Sequence, residues 1–135
     1  MEVNLNGEMI IVGNEEDFTI DEMNLEGNLC QVGALLRFYG SLSADLKAQA
    51  SNKKSHVEEY DAEYSLRVRV TEDKVTEGLV REKVKADPTH KKKMEEYIIA
   101  ERDHQKVENL YKSQIKRADV LISLAYSKRQ EIKNY

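Results

Sequence analysis

A thiol, three imidazoles and a cluster of cations are the groups in this chain whose chemistry is worth testing first. Cys30 lies between Leu29 and Gln31 at the start of an apolar stripe, and its nearest charged neighbours in sequence are acidic. A catalytic thiol needs a basic neighbour to hold it as thiolate, so Cys30 reads as a small buried hydrophobe. His56, His90 and His104 are scattered. Glu101-x-x-His104 supplies half of the di-metal pattern of helical bundles, which needs a second copy and two further inward glutamates. The chain has one copy. No zinc-ligand spacing, phosphate-cradling glycine loop or nucleophile with its base is present, so neither enzymatic activity nor a metal or other cofactor is expected.

The cations carry more information. The net charge of −4 conceals a segregation by sign. Residues 1–28 hold eight acids and neither Lys nor Arg, whereas residues 67–93 hold nine bases: Arg67, Arg69, Lys74, Arg81, Lys83, Lys85, Lys91, Lys92 and Lys93. Five acids lie among those nine, which leaves the stretch at +4. Arg81 and Lys85 are four residues apart and share a helix face. Lys91-Lys92-Lys93 opens a helix, where the helix dipole disfavours positive charge. Residues placed against their local preference call for a reason, and phosphate binding is one: its affinity comes from counter-ion release and falls steeply with salt. Repetition around an oligomer would add avidity. Tyr60 and Tyr64 are the nearest aromatics in sequence, so base stacking has little support and binding should be largely sequence-blind. The alternative is a solvated, salt-bridged turn.

The elements that must position these charges follow from periodicity. Glu2-Val3-Asn4-Leu5, the turn dipeptide Asn6-Gly7 and Met9-Ile10-Ile11-Val12 predict a small β-hairpin, which is too small to stand alone. Thr19 with Glu22 fits a capping box, although Gly27, Gly33 and Gly40 weaken the first turns, so the helix start falls between Thr19 and Asn28. Leu25, Leu29, Val32, Leu36, Tyr39, Leu46, Ala50, Val57, Tyr60 and Tyr64 recur at heptad spacing, expected where one helix packs along another. Val68, Val70, Thr71 and Glu72-Asp73 mark its end. Thr76 to Ala86 predicts a short helix with Leu79, Val80 and Val84 on one face. Asp87-Pro88 pairs an N-cap residue with a first-turn proline. Neither Gly nor Pro follows up to Tyr135. Met94, Tyr97, Ile98, Val107, Leu110, Tyr111, Ile115, Ala118, Leu121, Ile122, Ala125 and Ile132 form the second stripe.

Two helices of about 40–45 and about 47 residues would each run roughly 60–70 Å at ~1.5 Å per residue. The expected fold is mainly α: a long antiparallel helical hairpin with a short tip helix and a small N-terminal β-hairpin, assembling as a homo-oligomer because two helices leave their seams exposed. Residues 1–27 form the acidic N-terminal segment and residues 28–135 the helical hairpin, whose basic tip (67–93) would gather the cations within about 20–25 Å. Composition agrees: 34% charged residues, 7% aromatics, one Pro and no Trp suit long solvated helices. No apolar run approaches the ~20 residues of a membrane span, and the start lacks the marks of a signal peptide. A single cysteine fits a reducing compartment, so a cytoplasmic location, without membrane association, is expected.

The layout of Leu66-Arg67-Val68-Arg69 ending one long helix, then Thr76-Glu77-Gly78-Leu79-Val80-Arg81-Glu82-Lys83-Val84-Lys85-Ala86-Asp87-Pro88, then a second long helix, resembles bacteriophage recombination mediators of the UvsY type. The resemblance covers residues 28–135 and rests on this layout. It implies ring-shaped homo-oligomers of helical hairpins in the cytoplasm of a bacterial host. It also implies single-stranded DNA binding through basic residues, and help in loading a RecA-like recombinase onto DNA covered by a single-strand-binding protein. The family's basic pair falls on Arg67 and Arg69. The competing expectation is a structural coiled-coil adaptor or assembly chaperone that meets an acidic protein partner. The acidic segment is solvating decoration, a docking surface for a basic partner, or a contact to a neighbouring subunit.

Overall fold

Residues 1–72 and 74–134 are described by a computed structural model. Two short strands, β1 (Glu2–Leu5) and β2 (Glu8–Ile11), precede two single 3₁₀ turns, Glu15–Phe18 and Glu22–Asn24. Three helices follow: α1 (Leu25–Thr71), α2 (Glu77–Ala86) and α3 (Pro88–Lys133). The chain is mainly helical, and none of these helices is long and apolar enough to cross a membrane. Two units divide it, and both long helices contribute to each. The first comprises Met1–Asp45 and Asp103–Tyr135, the second Leu46–Arg102.

In the first unit α1 and α3 run antiparallel, since Asn28 meets Arg117 while Gly40 lies against Tyr111. A Cβ at Gly40 would sit 3.1 Å from Tyr111 Cε2, so the glycine admits the ring. Val32, Tyr39, Leu42, Val107 and Leu121 are buried in this unit, together with Val3 and Val12 from the hairpin. The hairpin is antiparallel, with Val3 opposite Ile10. Its turn places Asn6 at φ 52° and Gly7 at φ 90°, the pair of positive values that an Asn-Gly type I′ turn requires.

The partner the hairpin needs is α3, and polar bonds to α3 fix the hairpin and the turns that follow it. Asn4 N donates to Asp103 Oδ2 (3.0 Å), and Gln114 Nε2 donates to Asp17 O (2.5 Å). Arg117 is the centre of the arrangement. Its Nε donates to Thr19 O (2.8 Å), and its terminal nitrogens donate to Gln114 Oε1 (3.3 Å), Asn28 Oδ1 (3.2 Å) and Gln31 Oε1 (2.8 Å). Asn28 Oδ1 also accepts from Asp21 N (3.2 Å). From α1, the hydroxyl of Tyr39 accepts from Gly13 N (3.0 Å), and its ring packs against Phe18 at 5.7 Å. Residues 1–24 are thereby laid over the helix pair as a third layer. Burial pulls the Arg117 pKa down while nearby Asp17 works the other way, and a guanidinium keeps its charge regardless.

Four readings of the sequence change here. Thr19 does not cap α1: its hydroxyl donates to Glu16 O, and Asp21 caps the 3₁₀ turn that leads into the helix. Cys30 is exposed, because the buried α1 positions around it are Asn28 and Val32. The apolar stripe assigned to α3 is only partly its inner face: Met94, Ile98, Ile115, Ile122 and Ile132 are exposed, while Asp103, His104, Gln114 and Arg117 are buried. Asp103, Gln114 and Arg117 face residues 1–24, which present backbone amides and carbonyls that require polar partners. On α2 Leu79 is exposed and Val80 is the buried residue.

Replacing Arg117 by Met removes the donors and keeps much of the volume. We expect a loss of about 2–4 kcal/mol in urea unfolding, with faster proteolysis within residues 14–24. Arg117→Lys, which offers a point charge without the fork, should fall in between. A loss for Arg117→Met within about 0.5 kcal/mol, the range of a bland surface change, would refute this role.

Candidate nucleic-acid interface

All nine bases singled out from the sequence belong to the second unit, where α1 ends, α2 forms and α3 begins. Lys53 pairs with Glu96 and Asp61 with His90, so α1 and α3 are antiparallel here as well. The buried apolar residues are few and small: Leu46, Ala50, Val57, Val68, Val80 and Ala100. With that core, polar contacts must fix how the chain turns.

Asp87 is the main one. Its Oδ2 accepts from His90 N (3.0 Å), capping α3, and also from the Tyr60 hydroxyl (2.5 Å). The carboxylate therefore joins the start of α3 to the side of α1. One turn away, His90 Nδ1 lies 2.6 Å from Asp61 Oδ1, a second link between the same helices. The Tyr60 hydroxyl and the amide of His90 hold Asp87 ionised to below its ordinary range. The same bond keeps Tyr60 protonated beyond the usual tyrosine range. At the other end of α2, the Thr76 hydroxyl accepts from Leu79 N (3.2 Å) as an N-cap.

The cations divide by what they touch. Arg69 is engaged by Glu77 at 2.6 Å, and Lys83 is paired with Glu72. Both pairs are largely exposed, so each is worth little and can be exchanged for another anion. Arg67 stands over the Tyr64 ring and Lys93 over the Tyr60 ring, each 5.8 Å from the centroid. Such contacts contribute about 0.5–1 kcal/mol at exposed sites. Lys74, at φ 113°, and Arg81, Lys85, Lys91 and Lys92 are exposed and form no ion pair among the described residues. Seven of the nine bases thus lack a carboxylate partner among the described residues.

Tyr60 and Tyr64, which the sequence places in the α1 seam and offers as weak support for base stacking, lie among the cations. They sit one turn apart on α1 with centroids 6.1 Å apart and planes inclined by 24°, both half-buried. Arg67 follows three residues later on the same helix face. Lys93 comes from α3, and no local pattern could have placed it there. The available signal was the Tyr-x-x-x-Tyr-x-x-Arg spacing, which puts three side chains on one face. Among the described residues no three His, Cys, Asp or Glu side chains converge to hold a metal ion. Comparison with known protein families, curated proteins and solved structures finds no match to this chain.

Because Asp87 is ionised to an unusually low pH in the fold, its contribution is complete above the ordinary carboxylate pKa. That contribution is lost as pH falls through the lowered value. Asp87→Asn should therefore flatten the acid limb of a stability–pH curve below about pH 4 and leave the rest of its shape unchanged. Thermal melts between pH 2.5 and 7 test this, and an unaltered acid limb would remove Asp87 from the account.

Proposed function

We propose that this chain is a recombination mediator that binds single-stranded DNA. It acts as a homo-oligomer and helps load a RecA-like recombinase onto DNA covered by a single-strand-binding protein. The observation that carries the reading is the cationic surface of the second unit: seven bases free of carboxylate partners among the described residues, six on α1, α2 and α3 and Lys74 between α1 and α2. Lysine and arginine arrayed without paired acids are what a phosphate backbone neutralises with release of its counter-ions. The likeness of layout to UvsY-type mediators adds the oligomer, the recombinase and the single-strand-binding protein to the reading. The exposed Ile98, Ile115, Ile122 and Ile132 on α3 support self-association, since apolar helix faces left in water favour burial.

Anisotropy of a labelled single-stranded oligonucleotide, across 50–300 mM salt, tests the DNA-binding step. The logarithm of affinity should fall with the logarithm of salt at a slope no steeper than about −5 per protomer, the value for seven phosphate contacts. Arg67→Ala/Arg69→Ala should bind more weakly and shallow the slope by roughly 0.7, the share of Arg67, since Arg69 is already paired with Glu77. A folded protein that ignores the oligonucleotide at low salt would defeat the proposal, leaving an acidic protein as the partner of the same cations and an adaptor as the function.

A further inference from the structure

Lys93, Tyr60, Tyr64 and Arg67 form a row in the second unit. Each cation stands over the outer ring at its end, and the two rings lie between them. The row is built across two helices, and one of its rings is fixed independently, because the Tyr60 hydroxyl is tied to Asp87 at the start of α3. Stacking of tyrosines one turn apart is common on helix surfaces and by itself marks nothing. Here, however, the rings remain half-exposed, and neither flanking cation has a carboxylate partner among the described residues.

We propose that this row is a base-stacking subsite for single-stranded nucleic acid, with Tyr64 taking a nucleobase on its ring and Arg67 and Lys93 taking the phosphates on either side. The proposal rests on the reading that the second unit binds single strands, and it adds that bases as well as phosphates are held. Every nucleobase has a π-face, so an aromatic platform beside cations gains affinity without reading sequence. Arg67 must swing from the Tyr64 ring to admit a base. It is exposed and, among the described residues, held there by a weak ring contact, so the exchange replaces a cation on the ring with a larger stacked surface. Once displaced, its guanidinium remains within reach of the phosphate attached to that base. In duplex DNA the bases are already stacked on their neighbours, so the subsite favours single strands.

The test separates base from backbone. Oligothymidylate and an abasic oligonucleotide of equal length carry the same phosphates and differ only in bases. The full-length wild type should bind the thymidylate more tightly by roughly 5- to 150-fold, the range expected for one stacked base. Tyr64→Leu should lose most of that preference while its abasic affinity and salt slope stay at wild-type values. Tyr64→Phe, which keeps the ring, should retain the preference. With seven Tyr and no Trp in the chain, quenching of tyrosine emission by thymidylate gives a second readout, which should diminish in Tyr64→Leu. Equal wild-type affinity for both oligonucleotides would overturn the stacking subsite and leave phosphate binding intact. A base preference that survives in a folded Tyr64→Leu would overturn the assignment to Tyr64. Binding to neither would defeat the underlying single-strand reading as well.

Discussion

One buried guanidinium organises the first unit, and the reason lies in what two helices cannot do alone. A pair of helices side by side buries one stripe on each and leaves the remaining surface wet. A third layer is needed, and in this unit it is irregular chain: a two-stranded hairpin and two single turns. Irregular backbone brings amides and carbonyls that must be satisfied when covered. Apolar side chains on α3 could not do this. Arg117, with Gln114 beside it and Asp103 about four turns away on the same helix, does so, accepting the cost of burying charge in return for several charge-assisted bonds. Tyr39 plays the corresponding part on α1, offering an oxygen to Gly13 N from an otherwise apolar ring.

A carboxylate does comparable work in the second unit. Asp87 is an N-cap by sequence and by geometry, but its second bond, to Tyr60, makes it an inter-helix clamp. The two roles are coupled: the acid that starts α3 also sets the orientation of an aromatic ring on α1. Lys93, on the second turn of α3, is carried to that ring by the same start. The position of the aromatic row is thus a consequence of where α3 begins.

Much of this was legible from residue types alone. The hairpin follows from Asn6-Gly7, the end of α1 from Val68 to Thr71, and the start of α3 from Asp87-Pro88, because each depends on backbone preferences over a few residues. The heptad residues of α1 likewise include the buried Val32, Tyr39, Leu46, Ala50 and Val57. The inner face of α3 was not legible. Periodicity assumes that apolar residues face inward, and it fails where the covering layer is backbone, as at Gln114 and Arg117. Cys30 was misjudged for a related reason: a seam identifies the face of a helix, and a residue beside the seam can sit outside it. The nine cations were visible as a charge run, yet their pairings were not. Glu72 and Glu77 each claim one base, whereas Tyr60 and Tyr64 draw Arg67 and Lys93 from positions up to 33 residues away.

The placement of Lys91, Lys92 and Lys93 bears on what the second unit is built for. Three cations in the first two turns of a helix oppose its dipole, at a cost of about 0.3–1 kcal/mol for each one within the first turn. Asp87 offsets some of this, since it brings negative charge to the same end, but one carboxylate does not neutralise three ammonium groups. Arg81 and Lys85 add like charge at a four-residue spacing on α2. Stability alone would favour exchanging several of these residues for Glu or Ala, particularly over a core as slight as Val57, Val68 and Val80. A polyanion bound as proposed would reverse the sign of each term: the lysines would gain partners, and the repulsion on α2 would be screened. Under the proposed reading a bound phosphate backbone would relieve this repulsion, which the neighbouring Glu77, Glu95 and Glu96 relieve only in part. That reading also implies that the second unit is the part of the chain whose stability responds most to polyanions and to salt.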